Sequence, residues 1–209
     1  MLWGLKVRAM ILAFGTFWAC YFFLGWHPLF RPRVFPLTDL DVWAGYRPGG
    51  WGWVYESIFV ISAAVPWLVV TRDQLRRFLT GFTLLSLTSF LVFALFPVTC
   101  PRPAGAAPGG FLGLITRLDS PLNSFPSLHG SCLIYNLALA HRLFGRNMPI
   151  LAAIALWVWV GLIFFAVLAI KQHYAVDLVV GGLLGWAADA IAWRSAPARW
   201  GPDGGIVAR

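Results

Sequence analysis

Charge is what this chain has least of. Only 11% of its 209 residues are Asp, Glu, Lys or Arg, against roughly a quarter in an average soluble domain. Long runs without a single charge recur, each near the ~20 residues needed to cross a bilayer core, which excludes a water-soluble fold. Acid is scarcer than base, 8 residues against 16. A net charge of +8 in a soluble protein would point to nucleic acid. Here the basic residues sit in short loops between apolar runs, so membrane orientation explains them and no nucleic-acid partner is expected. Cysteine is sparse too. Cys20, Cys100 and Cys132 make an odd set with no metal-type spacing, which argues against a disulfide framework. The first apolar segment is too long for a cleavable signal core and lacks a small-residue cleavage site.

What is present is apolar: 59% of residues are hydrophobic and mean hydropathy is +0.74. The runs predict an all-α, polytopic bundle of six transmembrane helices over roughly 7–27, 52–70, 78–97, 126–144, 149–170 and 174–193. No internal repeat stands out, so residues 1–209 are read as one membrane domain ending in a short tail, 194–209. Alternate intervals differ in charge. Lys6, Arg8, Arg72, Arg76, Arg77, Arg142, Arg146, Arg194, Arg199 and Arg209 fall on one side of such a bundle. Arg31, Arg33, Arg47, Arg102, Arg117 and Lys171 fall on the other. The excess of basic residues places both termini in the cytoplasm. The outer loops, 28–51 and 98–125, are the long ones, rich in Pro and Gly.

Two short motifs stand out against this background: Phe125-Pro126-Ser127-Leu128-His129 and Lys171-Gln172-His173-Tyr174-Ala175-Val176-Asp177. Each sets a histidine at the outer end of an apolar helix, and ionisable groups there are functional candidates by default. Phosphoryl transfer needs a nucleophile or base, an acid for the leaving oxygen, and fixed positive potential. His173 supplies the first and His129, protonated, the second. Asp177 lies one turn beyond His173, placed to accept from its other ring nitrogen and hold the tautomer. Arg102, Lys171 and Arg117 offer positive charge, Ser127 offers a hydroxyl, and the two helix N-termini offer free N–H groups to an anion. His27 and His141 are read as packing residues, and Asp189 as the partner of an inner arginine. A zinc site built on the same three residues lacks a fourth ligand, and no metal or cofactor is expected.

Arg102-Pro103, Pro126-Ser127-Leu128-His129 and His173 through Asp177 resemble the three signature blocks of the type 2 phosphatidic acid phosphatase superfamily. Leu40-Asp41 through Pro48, Tyr55-Glu56-Ser57 and Pro66 resemble its inositol phosphorylceramide synthase-like branch, so the likeness spans most of residues 40–190. The resemblance implies a phosphatase or phosphotransferase core over about 40–193. It makes His173 a phosphoryl-accepting nucleophile, Asp177 its orienting partner, His129 the leaving-group acid and Arg102 a phosphate ligand, without a metal. The pattern departs in three places. A lysine expected seven residues before the arginine is Leu95, an arginine expected six residues before the histidine is Val167, and the central glycine of the second block is Leu128. Two missing cations weaken a dianionic monoester more than a singly charged diester, which tilts the expectation toward head-group transfer. The expected substrate is a lipid phosphate or phospholipid, with a hydroxyl-bearing acceptor if the reaction is transfer. The expected location is a bacterial inner membrane with the site on the periplasmic side. The alternative is a non-catalytic lipid-binding or transport protein with a degenerate pocket.

Overall fold

The computed structural model describes residues 2–100, 102–103, 113–114 and 118–194. Among these, seven α-helices and no strand are formed: α1 (Leu2–Trp26), α2 (Asp39–Ala44), α3 (Trp51–Ala64), α4 (Arg72–Leu95), α5 (Leu128–Phe144), α6 (Ile150–Ala169) and α7 (Ala175–Trp193). Four of them, α1, α4, α6 and α7, are long and apolar enough to cross a membrane. The other two expected spans are shorter than their apolar runs. Pro66 has no N–H to give, and α3 passes into a 3-10 turn over Val65–Leu68. α5 is bounded by the Ser127 cap and by Gly145, which takes a positive φ of 51°. Pro126 therefore lies just before the cap and not within the first turn.

Local chemistry sets the other boundaries. Thr71 and Gln74 close a reciprocal capping box at the start of α4, and Thr38 with Asp41 does the same for α2. α6 ends where Lys171 adopts φ 57°, and the amides of Lys171 and Gln172 turn back to the carbonyls of Leu168 and Val167. The turn sends Gln172 and His173 inward toward α7.

α5 and α7 share the most extensive helix contact. Small residues permit it. A Cβ on Gly181 would stand 2.2 Å from the Ser127 carbonyl oxygen, and one on Gly185 would stand 2.2 Å from that of Ser131. α4 packs on α7 and α1, and α3 on α6. At one end Lys6 bonds the Trp67 and Val69 carbonyls and Arg77 reaches the Ala192 carbonyl. There Asp189 pairs with Arg142 at 2.6 Å. At the opposite end the two long loops fasten each other. The amide of Arg33 donates to Pro97 and that of Thr99 to Arg33, while Ser124 donates to Val98.

Candidate active site

His129 enters from the first turn of α5 and His173 from the turn between α6 and α7. The Ser127 hydroxyl accepts from the Gly130 amide, and the Ser127 amide donates to the Asp177 carbonyl at 3.0 Å, which ties the start of α5 to the first turn of α7. With both backbones fixed, the two imidazoles meet: His129 Nδ1 lies 2.8 Å from His173 Nε2.

Their partners decide the protons. His173 Nδ1 lies 2.9 Å from the Ser124 carbonyl oxygen, which only accepts, so this nitrogen carries the hydrogen. His173 Nε2 then has a free lone pair, and His129 Nδ1 donates to it. His129 Nε2, bare in the neutral ring, accepts from the Tyr55 hydroxyl at 3.0 Å. One file of hydrogen bonds thus runs from Tyr55 through both rings to Ser124. Tyr55 is fully buried.

Two expectations need correction here. Asp177 does not hydrogen-bond His173: its Oδ2 lies 3.8 Å from Nδ1, because the Ser124 carbonyl occupies that position. Asp177 instead accepts from the Ser124 hydroxyl at 2.6 Å and from the Tyr174 amide at 3.0 Å, so it holds His173 through the segment that carries Ser124. The α7 N-terminus is likewise not left open for an anion. Its Ala175 amide donates to Asp41 Oδ1 at 2.8 Å, so two carboxylates already serve this helix end.

The expected phosphate ligands separate. Arg102 lies beside the pair, donating to Gln172 Oε1 at 3.0 Å and to Asp119 Oδ2 at 2.7 Å. Asp119 in turn accepts from the Tyr21 hydroxyl at 2.5 Å. Lys171 donates to the Asp41 carbonyl at 2.8 Å, and burial lowers the pKa of its ammonium. Ser127 is buried as the α5 cap. Arg117 lies outside the described residues. The Cys100 thiol, 3.6 Å from the Lys171 carbonyl oxygen, is pushed up to about 12 by burial. Tyr55, Asp119, Gln172, Ser124 and Asp41 were missed as site residues. Gln172 adjoins His173, and Tyr55 and Asp41 lie in the stretches that carry the branch resemblance. Asp119 sits in a Pro/Gly-rich loop that gives no periodic signal.

Below the imidazoles lies a chamber of about 670 Å³. Met10, Phe14, Trp18, Ile58, Phe59 and Phe82 form its apolar wall, and Tyr21, Asp119, Asn123, His129 and His173 its polar end. From Met10 to Phe22 along α1 the wall extends about 18 Å at the helical rise. Such an apolar wall suits hydrocarbon.

Over residues 51–191 the sequence matches the PAP2 superfamily. The chain belongs to that superfamily. It is also 26% identical over 172 residues to "Inositol phosphorylceramide synthase" of Candida albicans (strain SC5314 / ATCC MYA-2876), with 71% of this chain and 34% of that protein covered. The chain therefore spans about a third of its curated relative. No solved structure matches. The PAP2 match starts at the first residue of α3 and ends within α7, so it includes Tyr55, Arg102, both histidines and Asp177. The relative agrees with the branch resemblance read from residues 40–66.

Proposed function

We propose that this PAP2-superfamily chain is an integral-membrane lipid phosphotransferase or phosphoesterase that works through a phosphohistidine at His173. The observation that carries the reading is the 2.8 Å meeting of His129 Nδ1 with His173 Nε2 at the polar end of an apolar chamber. A lipid phosphate entering between the rings replaces their mutual hydrogen bond. His173 Nε2, whose lone pair the Ser124 carbonyl keeps available by binding the Nδ1 hydrogen, attacks phosphorus. The P–O bond to the leaving group breaks, and protonated His129 delivers its Nδ1 proton to that oxygen. The phosphorylated ring of His173 is a cation, and the buried carboxylate of Asp177, 3.8 Å from Nδ1, stabilises it. Water or an acceptor hydroxyl then attacks phosphorus, gives its proton to His129 Nδ1, and releases His173 as the N–P bond breaks. Arg102 contacts the phosphate oxygens.

Transfer is favoured over hydrolysis. Cations are absent at Leu95 and Val167, and Asp119 already offsets Arg102, so the site suits one negative charge better than two. Six membrane crossings, four by the long helices and two by α3 with its 3-10 turn and by α5, set both termini in the cytoplasm. The position of Lys6, Arg77 and Arg142 at the end away from the histidines supports this reading, in which the chemistry lies at the outer leaflet of a bacterial inner membrane.

Purified protein in detergent is incubated with a panel of phospholipids, with and without hydroxyl acceptors, and products are read by mass spectrometry. Wild type is expected to release head group or phosphate, more of it with an acceptor, and to form an acid-labile phosphoprotein. His173→Ala is expected to do neither. Equal product from both proteins would refute the reading.

A further inference from the structure

We infer that Asp119, seated by Tyr21, is a specificity-determining residue that limits how much negative charge a phosphate can bring to the histidines. Asp119 stands at the polar end of the chamber with His129 and His173, where the proposed reaction places an anion. A carboxylate there opposes the substrate, so its position needs a reason. It is firmly built in. Its Oδ1 accepts from the Tyr21 hydroxyl at 2.5 Å and its Oδ2 from Arg102 at 2.7 Å, while its backbone carbonyl accepts from the same guanidinium at 2.8 Å. The loop that follows is fastened to α1. Asn123 donates to the Tyr21 carbonyl at 2.7 Å, and a Cβ on Gly25 would stand 3.1 Å from the Ser120 Cβ. Tyr21 precedes the span that matches the superfamily, 51–191, so α1 brings to that matched core a seat for one carboxylate. Charge arithmetic gives the consequence. Arg102 and Asp119 sum to zero, so the second charge of a phosphate monoester gains little from the guanidinium that the carboxylate does not cancel. A diester carries one charge and escapes that loss. Discrimination of this kind works by repelling the wrong partner. A unit charge about 6 Å away, at an effective dielectric of about 20, changes affinity about 100-fold, and partial exposure brings this to about 10–100-fold.

The inference rests on the proposed phosphate site between His129 and His173, and the test separates the two. Two non-hydrolysable lipids of equal chain length are used at pH 8: a difluoroalkylphosphonate, which is a dianion, and its methyl ester, a monoanion. Binding to the full-length protein in micelles is followed by the fluorescence of Trp18, which lines the chamber. The quantity read is the ratio of the two affinities, ester over free phosphonate, which a partial loss of folded protein does not move. Wild type is expected to bind the ester more tightly. Asp119→Asn keeps the side chain's shape, removes its charge, and is expected to lower the ratio about 10–100-fold. Asp119→Glu keeps the charge and most of the ratio. Tyr21→Phe leaves the carboxylate charged with one donor fewer, so the ratio stays or rises. Tighter binding of the dianion by wild type overturns the inference, whether or not any variant folds. An unchanged ratio in Asp119→Asn overturns it as well. So does an equal fall in Tyr21→Phe, because loop docking on α1 and not charge would then set the preference. Turnover of natural phospholipids through His173 without that charge preference removes the inference and leaves the catalytic reading. The charge preference without turnover does the reverse.

Discussion

With both rings neutral, the hydrogen bonds between Tyr55 and Ser124 admit one arrangement of protons, and it leaves a lone pair on His173 Nε2, the atom proposed as nucleophile. Tyr55 has a double use at this scale. Its hydroxyl donates to neutral His129 and, by turning its proton away, accepts from Nε2–H once the ring is charged. Tyr55→Phe leaves the charged ring without that acceptor. Steady-state kinetics are expected to show kcat down about 10–100-fold with KM nearly unchanged, the pattern of a loss felt in the transition state. His129→Ala should cost more, about 10²–10⁴-fold in kcat, as expected for a leaving-group acid. Arg102 behaves differently, because its side chain and that of Asp119 are 18% and 12% exposed and form an ion pair. Arg102→Ala strands a mostly buried carboxylate and is expected to destabilise by about 3 kcal/mol. Adding Asp119→Asn should restore the thermal midpoint but not the KM for lipid phosphate. If the double variant regains normal KM, Arg102 is a structural cation and not a phosphate ligand.

At the level of helices, the site depends on how closely α5 and α7 approach. Gly181 and Gly185, four residues apart on α7, lie against the backbone of Ser127 and Ser131. Ser127 is the cap that aims His129, so the glycines set the distance between the imidazoles. Gly181→Val pushes two carbonyl-lined surfaces apart. We expect a loss of about 1–3 kcal/mol from overpacking, read as a lowered thermal midpoint. Activity should fall by about 10²-fold even at temperatures where the fold survives, since displacement near 1 Å is enough to spoil alignment. Retention of full activity would show that the α5–α7 spacing does not set the chemistry. The sequence reading did not single out Gly181 or Gly185, and a backbone contact partner carries no side-chain signature to show what they bring together.

Across the whole molecule, one cluster of basic side chains lies at the end away from the histidines. Lys6, Arg77 and Arg142 bind carbonyls or carboxylates at one end, while the histidines and the fastened loops occupy the other. Single cysteines introduced at the exposed positions Leu40 and Arg76 test how this axis lies in the membrane. In intact cells an impermeant maleimide is expected to label the first and to reach the second only after permeabilisation. Labelling in the reverse order would turn the site to the cytoplasm and remove the outer-leaflet reading.

Composition alone determined that the chain is membrane-embedded and helical, because hydrocarbon accepts only backbones whose polar groups are satisfied within the segment. The motif blocks, local in sequence, likewise marked His129, His173, Asp177 and Arg102. Only the tertiary structure decided how those residues are wired. Asp177 and Asp41 both serve the α7 N-terminus, Ser124 holds the His173 tautomer, and Tyr55 reaches His129 across 74 positions. Such pairings are made by helices crossing at short range, and no local spacing along the chain encodes which side chain will stand opposite.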